Sequence, residues 1–256
     1  MDKKMTILSE FLGAFQDKNK FFDYLSAPGQ FNRRIGGETL LIVIFSSFYG
    51  LVMGSYNGFL QALSSAIKLP ILFTLSLLIC FPAFFMLQQV LGSKLGLKQM
   101  LSIMLAGFAM ISLLMASFAP IVLFFLITQD NYGFLKLLHV GIFGLSSLFG
   151  MRMIVDALRY SCEEKKVYPK IGVQVFRFWI IILAFVGMQL GWNLRPFIGD
   201  RGLPFELFRA REGNFYTAIA SAAIDAVDGP TKKKPAKETS YLKPSRIQNE
   251  DVNNGQ

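Results

Sequence analysis

A run of 31 consecutive residues between Lys98 and Asp130 carries no charged side chain. A membrane-spanning helix needs about 20 predominantly apolar residues, so a run of this length predicts a bilayer span. Two spans with a turn would need about 40 residues, and Pro120 lies inside the run, so we expect one kinked and tilted helix. The run therefore predicts an integral membrane protein.

Four further charge-free runs resemble this one. Charged residues make up only 17% of the chain, whereas a soluble domain has about 25%. The predicted fold class is all-α, a polytopic membrane helix bundle of about five transmembrane helices with an N-terminal amphipathic helix. The five expected spans are residues 39–62, 69–91, 100–127, 134–157 and 173–194, which together form a transmembrane domain over 39–194.

Residues 1–38 are predicted to form a cytoplasmic amphipathic segment before the first span. The i, i+3, i+4 and i+7 spacing of an apolar helix face is occupied by Leu8, Phe11, Leu12 and Phe15. We expect this helix either to lie flat on the membrane surface or to pack against its own bundle. At the other end of the chain, residues 229–256 are rich in Lys, Pro, Asn and Ser and are predicted to be disordered.

Basic residues concentrate in alternate connections between the runs. Six precede the first charge-free run and six lie between the fourth and fifth runs, whereas the connections after the first and third runs hold only Lys68 and Lys136. By the positive-inside rule this pattern predicts a cytoplasmic N-terminus. Five spans would then place the C-terminus outside, but the tail is itself basic, so the side of the tail stays open.

Small residues recur at four-residue spacing on two of the predicted helices. The stripes consist of Ser46, Gly50, Gly54 and Gly58 in the first span and of Gly187 and Gly191 in the fifth. Such stripes let two helix backbones approach closely. We expect them to pack within the chain, and an interface between copies of the chain is the alternative.

Few polar residues fall inside the predicted spans. His139 lies near one end of the fourth span and is expected to be a structural hydrogen-bonding residue, while Gln88 and Gln89 end the second span and are expected to meet lipid headgroups. No acidic residue falls inside the five runs, although proton-coupled transporters usually need one. Cys80 and Cys162 are expected at different depths, so a disulfide between them is not predicted.

Recognisable enzyme and metal-site signatures are missing from the sequence. A single histidine precludes a di-histidine metal site, and neither a Gly-x-Ser-x-Gly motif nor a phosphate-binding glycine loop occurs. We therefore predict no catalytic activity and no cofactor. The absence of a soluble basic fold also argues against a nucleic-acid partner.

Residues 195–228, in which arginines are interspersed with aromatic residues, are predicted to form an interfacial segment. Arginine guanidinium groups bind phosphate and carboxylate groups, and aromatic rings favour the headgroup layer, so the segment suits lipid phosphate or a partner protein. The alternative is a belt that only anchors the fifth span. The candidate binding residues are Arg195, Asp200, Arg201, Glu206, Arg209 and Arg211.

Several passages resemble a widespread bacterial multi-span membrane family without an established role. They are LQALSSAIKLPILFTLSLLICFP, LGSKLGLKQML, ASFAPIVLFFLIT and GMQLGWNLRPFIGD…LPFELFRAREGNFY, within residues 39–218, and LRPFIG is the most specific stretch. Some members are labelled actin-binding, of the WASP-homology type; that motif ends in a Leu-Lys-Lys-Thr-like tail, from which YLKPSR departs. The layout also resembles the five-span Yip-type trafficking proteins, which have a cytoplasmic N-terminus. The resemblance implies a multi-pass protein of a bacterial inner (plasma) membrane.

Three hypotheses of function follow. The first is a non-enzymatic inner-membrane protein that organises or assembles a membrane complex, with membrane lipids, other membrane proteins or itself as partners. The second is a small transporter or channel subunit. The third is a lipid-modifying membrane enzyme, which the single histidine makes the weakest of the three.

Overall fold

The computed structural model of the protein describes residues 17–26, 31–128, 131–194 and 196–198, with the single positions 13 and 224. Within these ranges it contains helices and no strand. The helices are α1 (Lys18–Ser26), α2 (Phe31–Gly54), α3 (Phe59–Val90), α4 (Leu97–Thr128), α5 (Tyr132–Glu163) and α6 (Lys170–Leu194). The five helices α2 to α6 are long and apolar enough to cross a membrane, which confirms the predicted polytopic helical bundle.

Helix α3 runs antiparallel to α6, and α4 runs antiparallel to α5. The rings of Phe84 in α3 and Phe176 in α6 lie 5.0 Å apart, and those of Phe125 in α4 and Phe134 in α5 lie 5.1 Å apart. Helices α2 and α4 are parallel neighbours, and their packing is the most extensive in the bundle. The bundle therefore has an α1 end, where α2, α4 and α6 begin, and a Pro196 end, where α6 finishes.

Helices α3, α4 and α5 are each 32 residues long. At 1.5 Å per residue they measure about 48 Å, more than the hydrocarbon core of about 30 Å, so they tilt or extend beyond it. Pro120 lies inside the single helix α4, which confirms that the longest charge-free run forms one span rather than two. At the start of α5, the side chain of Asn131 accepts a hydrogen bond from the Phe134 amide at 3.2 Å.

The first two membrane helices begin earlier than predicted. Helix α2 starts at Phe31 rather than at residue 39, and α3 starts at Phe59 rather than at residue 69. Lys68, which was predicted to mark a loop, lies inside α3, and Lys136 lies inside α5 rather than in a connection. The prediction used charged residues as helix boundaries, and that rule fails where a lysine finds acceptors or aromatic surface within the bundle.

Helix α1 packs against the α1 ends of α4 and α5. Its apolar side chains Phe21, Phe22 and Leu25 are buried. Arg34 of α2 donates to the Leu25 carbonyl at 3.1 Å, and its guanidinium lies 4.7 Å from the centre of the Tyr24 ring. For α1, packing on the bundle is therefore the arrangement observed, whereas the predicted amphipathic face from Leu8 to Phe15 lies outside the described residues.

An exposed ion pair joins α1 to the connection between α5 and α6. The Lys165 ammonium lies 2.7 Å from the Asp23 carboxylate, and its hydrogen bond holds the pKa of Asp23 below the ordinary value. Because the pKa of Asp23 is lower in the folded protein, the ion pair stabilises the fold at pH values above the pKa that this carboxyl has in the unfolded chain. This stabilisation is lost as the pH falls through the folded-state pKa.

We therefore predict that amide hydrogen exchange in α1 quickens as the pH falls through the folded-state pKa of Asp23. Rates are corrected for the intrinsic pH dependence of exchange. Asp23→Asn should show fast α1 exchange already at neutral pH and no further acid step. An acid step that survives in Asp23→Asn would assign the effect to another group.

Candidate functional site in the membrane-spanning helices

Among the described residues, four acidic or basic side chains lie buried within the membrane helices. Arg34 and Glu38 in α2 are 5% and 1% exposed, Lys68 in α3 is 4% exposed and His139 in α5 is 2% exposed. The prediction that the spans contain no acidic residue is wrong, because α2 begins upstream of Glu38. Ionisable groups inside a membrane are expensive to bury and require partners, so each one marks a specific polar contact within the bundle.

Lys68 belongs to a polar face of α3 that contacts the chain just after α6. Gln61 donates from Nε2 to the Pro196 carbonyl at 2.8 Å and to the Phe197 carbonyl at 3.1 Å. Ser65 donates to the Phe197 carbonyl, and Lys68 donates from Nζ to the Pro196 carbonyl at 3.1 Å. We call this set of hydrogen bonds the α3–Pro196 contact.

The local sequence explains why this contact forms. Gln61, Ser65 and Lys68 are spaced i, i+4 and i+7, so they share one face of α3. Pro196 follows the end of α6, where backbone carbonyls lack partners in the helix, and the three donors of α3 satisfy carbonyls there. Pro196 and Ile198 are buried, as non-helical backbone inside a membrane must be.

At the α1 end, Glu38 forms a second polar contact between helices. Both oxygens of its carboxylate accept from Ser102 Oγ of α4, at 2.9 and 3.1 Å. Ser102 is fully buried, so the pair lies between α2 and α4. Near it, exposed Lys98 of α4 donates to Asn32 of α2 at 3.1 Å. These hydrogen bonds join the α1 ends of the two parallel helices.

His139 forms the third contact. Its Nδ1 lies 2.8 Å from the Tyr49 hydroxyl of α2, and the two rings meet edge to face with centroids 5.7 Å apart. The Tyr49 ring also meets Phe143 at a centroid distance of 6.0 Å. The prediction that His139 is a structural hydrogen-bonding residue is confirmed, and its partner is on another helix.

Tyr49→Phe is expected to lower the free energy of unfolding in detergent by about 1–3 kcal/mol, because it leaves Nδ1 of a buried histidine without a partner. A double-mutant cycle with His139→Leu separates this bond from the packing of the Tyr49 ring. The coupling energy should be about 0.5–3 kcal/mol. Additive effects of the two substitutions would show that the hydrogen bond adds nothing to stability.

Glycines of the first predicted stripe lie where α2 meets α3. A Cβ atom at Gly50 would lie 2.5 Å from the Ser65 carbonyl oxygen, and one at Gly54 would lie 2.6 Å from the Gln61 carbonyl oxygen. Gly58 does not extend this stripe, because it caps the start of α3 with φ of 136°.

The glycines of the second predicted stripe, in α6, lie farther from their neighbours than the glycines at the α2–α3 crossing do. A Cβ at Gly187 would lie 3.9 Å from Ser76 Oγ, and one at Gly191 would meet nothing within 4 Å.

A further pair of glycines lies where α4 packs against α5, and this pair was not predicted from the sequence. A Cβ at Gly150 would lie 2.7 Å from the Gly107 carbonyl oxygen, and one at Gly107 would lie 3.2 Å from the Gly150 carbonyl oxygen. The four-residue spacing of Ser146 and Gly150 was a signal that could have found one side of this crossing.

The six candidate residues of the Arg/aromatic segment, Arg195, Asp200, Arg201, Glu206, Arg209 and Arg211, lie outside the described residues.

In the described part of the bundle, a crevice lies between α3, α4 and α6, and it is too small for a ligand of ordinary size. That cavity measures about 10 Å³ and is lined by apolar side chains that include Cys80, Phe84 and Phe176, whereas ligand pockets measure about 300–1,000 Å³. Among the described residues there is no cluster of His, Cys, Asp and Glu that could hold a metal ion. Cys80 and Cys162 are both free thiols, as predicted.

Comparison with known proteins gives no match: no family model, no curated protein and no solved structure resembles the chain. The geometry shows a multi-span membrane protein whose described helices are joined by buried polar contacts. The role of the protein therefore has to be argued from those contacts.

Proposed function

We propose that the protein is a non-enzymatic integral membrane protein that organises or assembles a membrane complex. The observation that carries this proposal is the α3–Pro196 contact. Three side chains of one membrane helix, Gln61, Ser65 and Lys68, bond to two backbone carbonyls, those of Pro196 and Phe197, at the start of the Arg/aromatic segment. The bundle thereby fixes where this segment starts.

The use of the buried polar groups supports a scaffold rather than a passage. Glu38 bonds to Ser102, His139 to Tyr49 and Lys68 to Pro196, so each joins two parts of the same chain. A water-filled route would instead leave polar side chains facing a cavity. The polar groups of this bundle hold helices and flanking segments in place.

The Arg/aromatic segment, residues 195–228, has the chemistry of a binding surface. The candidates Arg195, Asp200, Arg201, Glu206, Arg209 and Arg211 combine guanidinium groups, carboxylates and neighbouring aromatic residues. Guanidinium groups bind phosphates and carboxylates through paired hydrogen bonds. We propose that this segment contacts lipid headgroups and another membrane protein, or a second copy of the chain.

The proposed setting is a bacterial inner membrane with a cytoplasmic N-terminus. At the α1 end the bundle exposes Arg33, Lys94, Lys98, Lys165, Lys166 and Lys170, and cytoplasmic faces carry such an excess of basic residues. Accessibility labelling of Lys94→Cys in intact cells tests the orientation. Labelling by an impermeant reagent would contradict it.

Arg195→Ala and Arg209→Ala test the proposed binding surface. Purification in native lipid should recover the wild type with a co-purifying protein or as an oligomer, and both variants should lose that partner. Arg33→Ala is the control, because Arg33 is an exposed arginine at the opposite end of the bundle. Unchanged complexes in both segment variants would remove the main support for the scaffold.

A small transporter is the second candidate, and the burial of Glu38, Lys68 and His139 favours it. Purified protein in liposomes should then move protons or ions in a way that Glu38→Gln abolishes. Equal leak through wild type, Glu38→Gln and protein-free liposomes would remove this candidate.

A further inference from the structure

Two unpaired polar groups lie side by side where α3 ends and α6 begins. Gln88, which was predicted to meet lipid headgroups, is instead fully buried, and Tyr168 is 4% exposed. The Gln88 amide donates from Nε2 to the Gly172 carbonyl at 3.4 Å, but within the described structure neither Gln88 Oε1 nor the Tyr168 hydroxyl has a hydrogen-bond partner. Buried groups of this kind are rarely left unsatisfied.

The two groups face the same point beside Gly172. A Cβ atom placed on Gly172 would lie 2.5 Å from Gln88 Oε1 and 3.0 Å from Cζ of Tyr168, the ring carbon that carries the hydroxyl. Because glycine has no side chain, the amide oxygen and the ring that carries the hydroxyl can both approach this residue closely. Burial raises the pKa of Tyr168, so the hydroxyl keeps its proton and remains a donor.

The surrounding backbone is built to hold these groups in place. The Lys94 amide donates to the Val167 carbonyl at 2.9 Å, which ties the α3–α4 connection to the α5–α6 connection. The Val167 amide donates to the Ser161 carbonyl at 3.1 Å. Lys166 adopts a left-handed conformation with φ of 53°, which is uncommon for a residue with a side chain and needs support from its surroundings.

We propose that Gln88, Gly172 and Tyr168 form a binding site for one ordered water molecule. The Tyr168 hydroxyl donates to the water, and the water donates to Gln88 Oε1 and to the Gly172 carbonyl. Three hydrogen bonds are typical of a buried water. The water links α3, α6 and the connection before α6, so it belongs to the packing of the α1 end.

Thermal unfolding of the full chain in detergent tests this site through a double-mutant cycle of Tyr168→Phe and Gln88→Leu. Each single variant should lower the midpoint by a few degrees, because it leaves one polar group of the bridge unpaired. The double variant should fall by clearly less than the sum of the two shifts. Additive shifts would overturn the proposal.

Gly172→Ala gives a second measurement, since its methyl group would lie 2.5 Å from Gln88 Oε1 and would displace that oxygen from the bridge. In this background Tyr168→Phe should have no further effect on the midpoint, whereas an undiminished effect would overturn the site. If Gly172→Ala does not fold, the cycle above decides alone. A density map that resolves waters should show one within hydrogen-bond distance of both side chains. A direct bond between the Tyr168 hydroxyl and Gln88 Oε1 would contradict it.

Discussion

Gly50→Ala is expected to destabilise the protein by about 1–3 kcal/mol, the usual penalty for overpacking a close contact. The new Cβ would lie 2.5 Å from the carbonyl oxygen of Ser65, 2.8 Å from its carbonyl carbon and 2.9 Å from Cα of Ala66. All three are backbone atoms of α3, so no side chain can rotate away and α2 and α3 must separate. Gly50→Leu should cost more, because it adds three further carbons at the same place.

Gly36→Ala in the same helix is the matched control. A Cβ at Gly36 would meet nothing within 4 Å, and alanine is the better helix former by up to about 1 kcal/mol. Gly36→Ala should therefore leave the unfolding free energy unchanged or raise it. Equal losses in the two variants, measured by reversible unfolding in mixed micelles, would show that α2 and α3 do not pack as described.

Lys68→Met is expected to release the chain after α6 from the bundle. The substitution keeps most of the side-chain volume but removes the ammonium that bonds to the Pro196 carbonyl. A hydrogen bond to a charged group contributes about 1.5–3 kcal/mol, so the undocked fraction should rise about tenfold or more. Overall stability need not fall, because methionine avoids the penalty of burying a charge.

Cysteine labelling measures this release. Ile198 is buried beside the contact, so Ile198→Cys should react slowly with a polar maleimide in the wild-type background and much faster with Lys68→Met. Lys98→Met is the control, because Lys98 is exposed and bonds only to the Asn32 side chain at the other end of the bundle. Equal labelling rates in the Lys68→Met and Lys98→Met backgrounds would show that Lys68 does not hold the segment.

The fold class could be predicted because the bilayer acts on long stretches of sequence. The run that contains Pro120 forms the single helix α4, and the apolar length alone indicated this. The limits of α2 and α3 could not be predicted, because Glu38 and Lys68 are tolerated only through partners that are distant in sequence. Ser102 and Pro196 are such partners, and no local pattern reveals them.

Residues of the candidate site could be predicted only where the sequence pattern that reveals them lies within one helix. Gly50 and Gly54 follow a four-residue spacing, and the structure places both against the backbone of α3. Gly107 lies alone in its helix, so its crossing with Gly150 depends on three-dimensional packing. In the same way, the bond between Tyr49 and His139 joins helices α2 and α5, and the sequence alone indicated the histidine but not its partner.

The central claim is that the α3–Pro196 contact positions the C-terminal segment for assembly. The most direct measurement is the mass of the complex purified in native lipid from wild type, Lys68→Met and Arg209→Ala. The wild type should purify as a complex larger than the single chain, and both variants should lose the additional mass, while Lys98→Met keeps it. The claim would be contradicted if the Ile198→Cys sensor shows that Lys68→Met releases the chain after α6 while the mass of the complex stays unchanged.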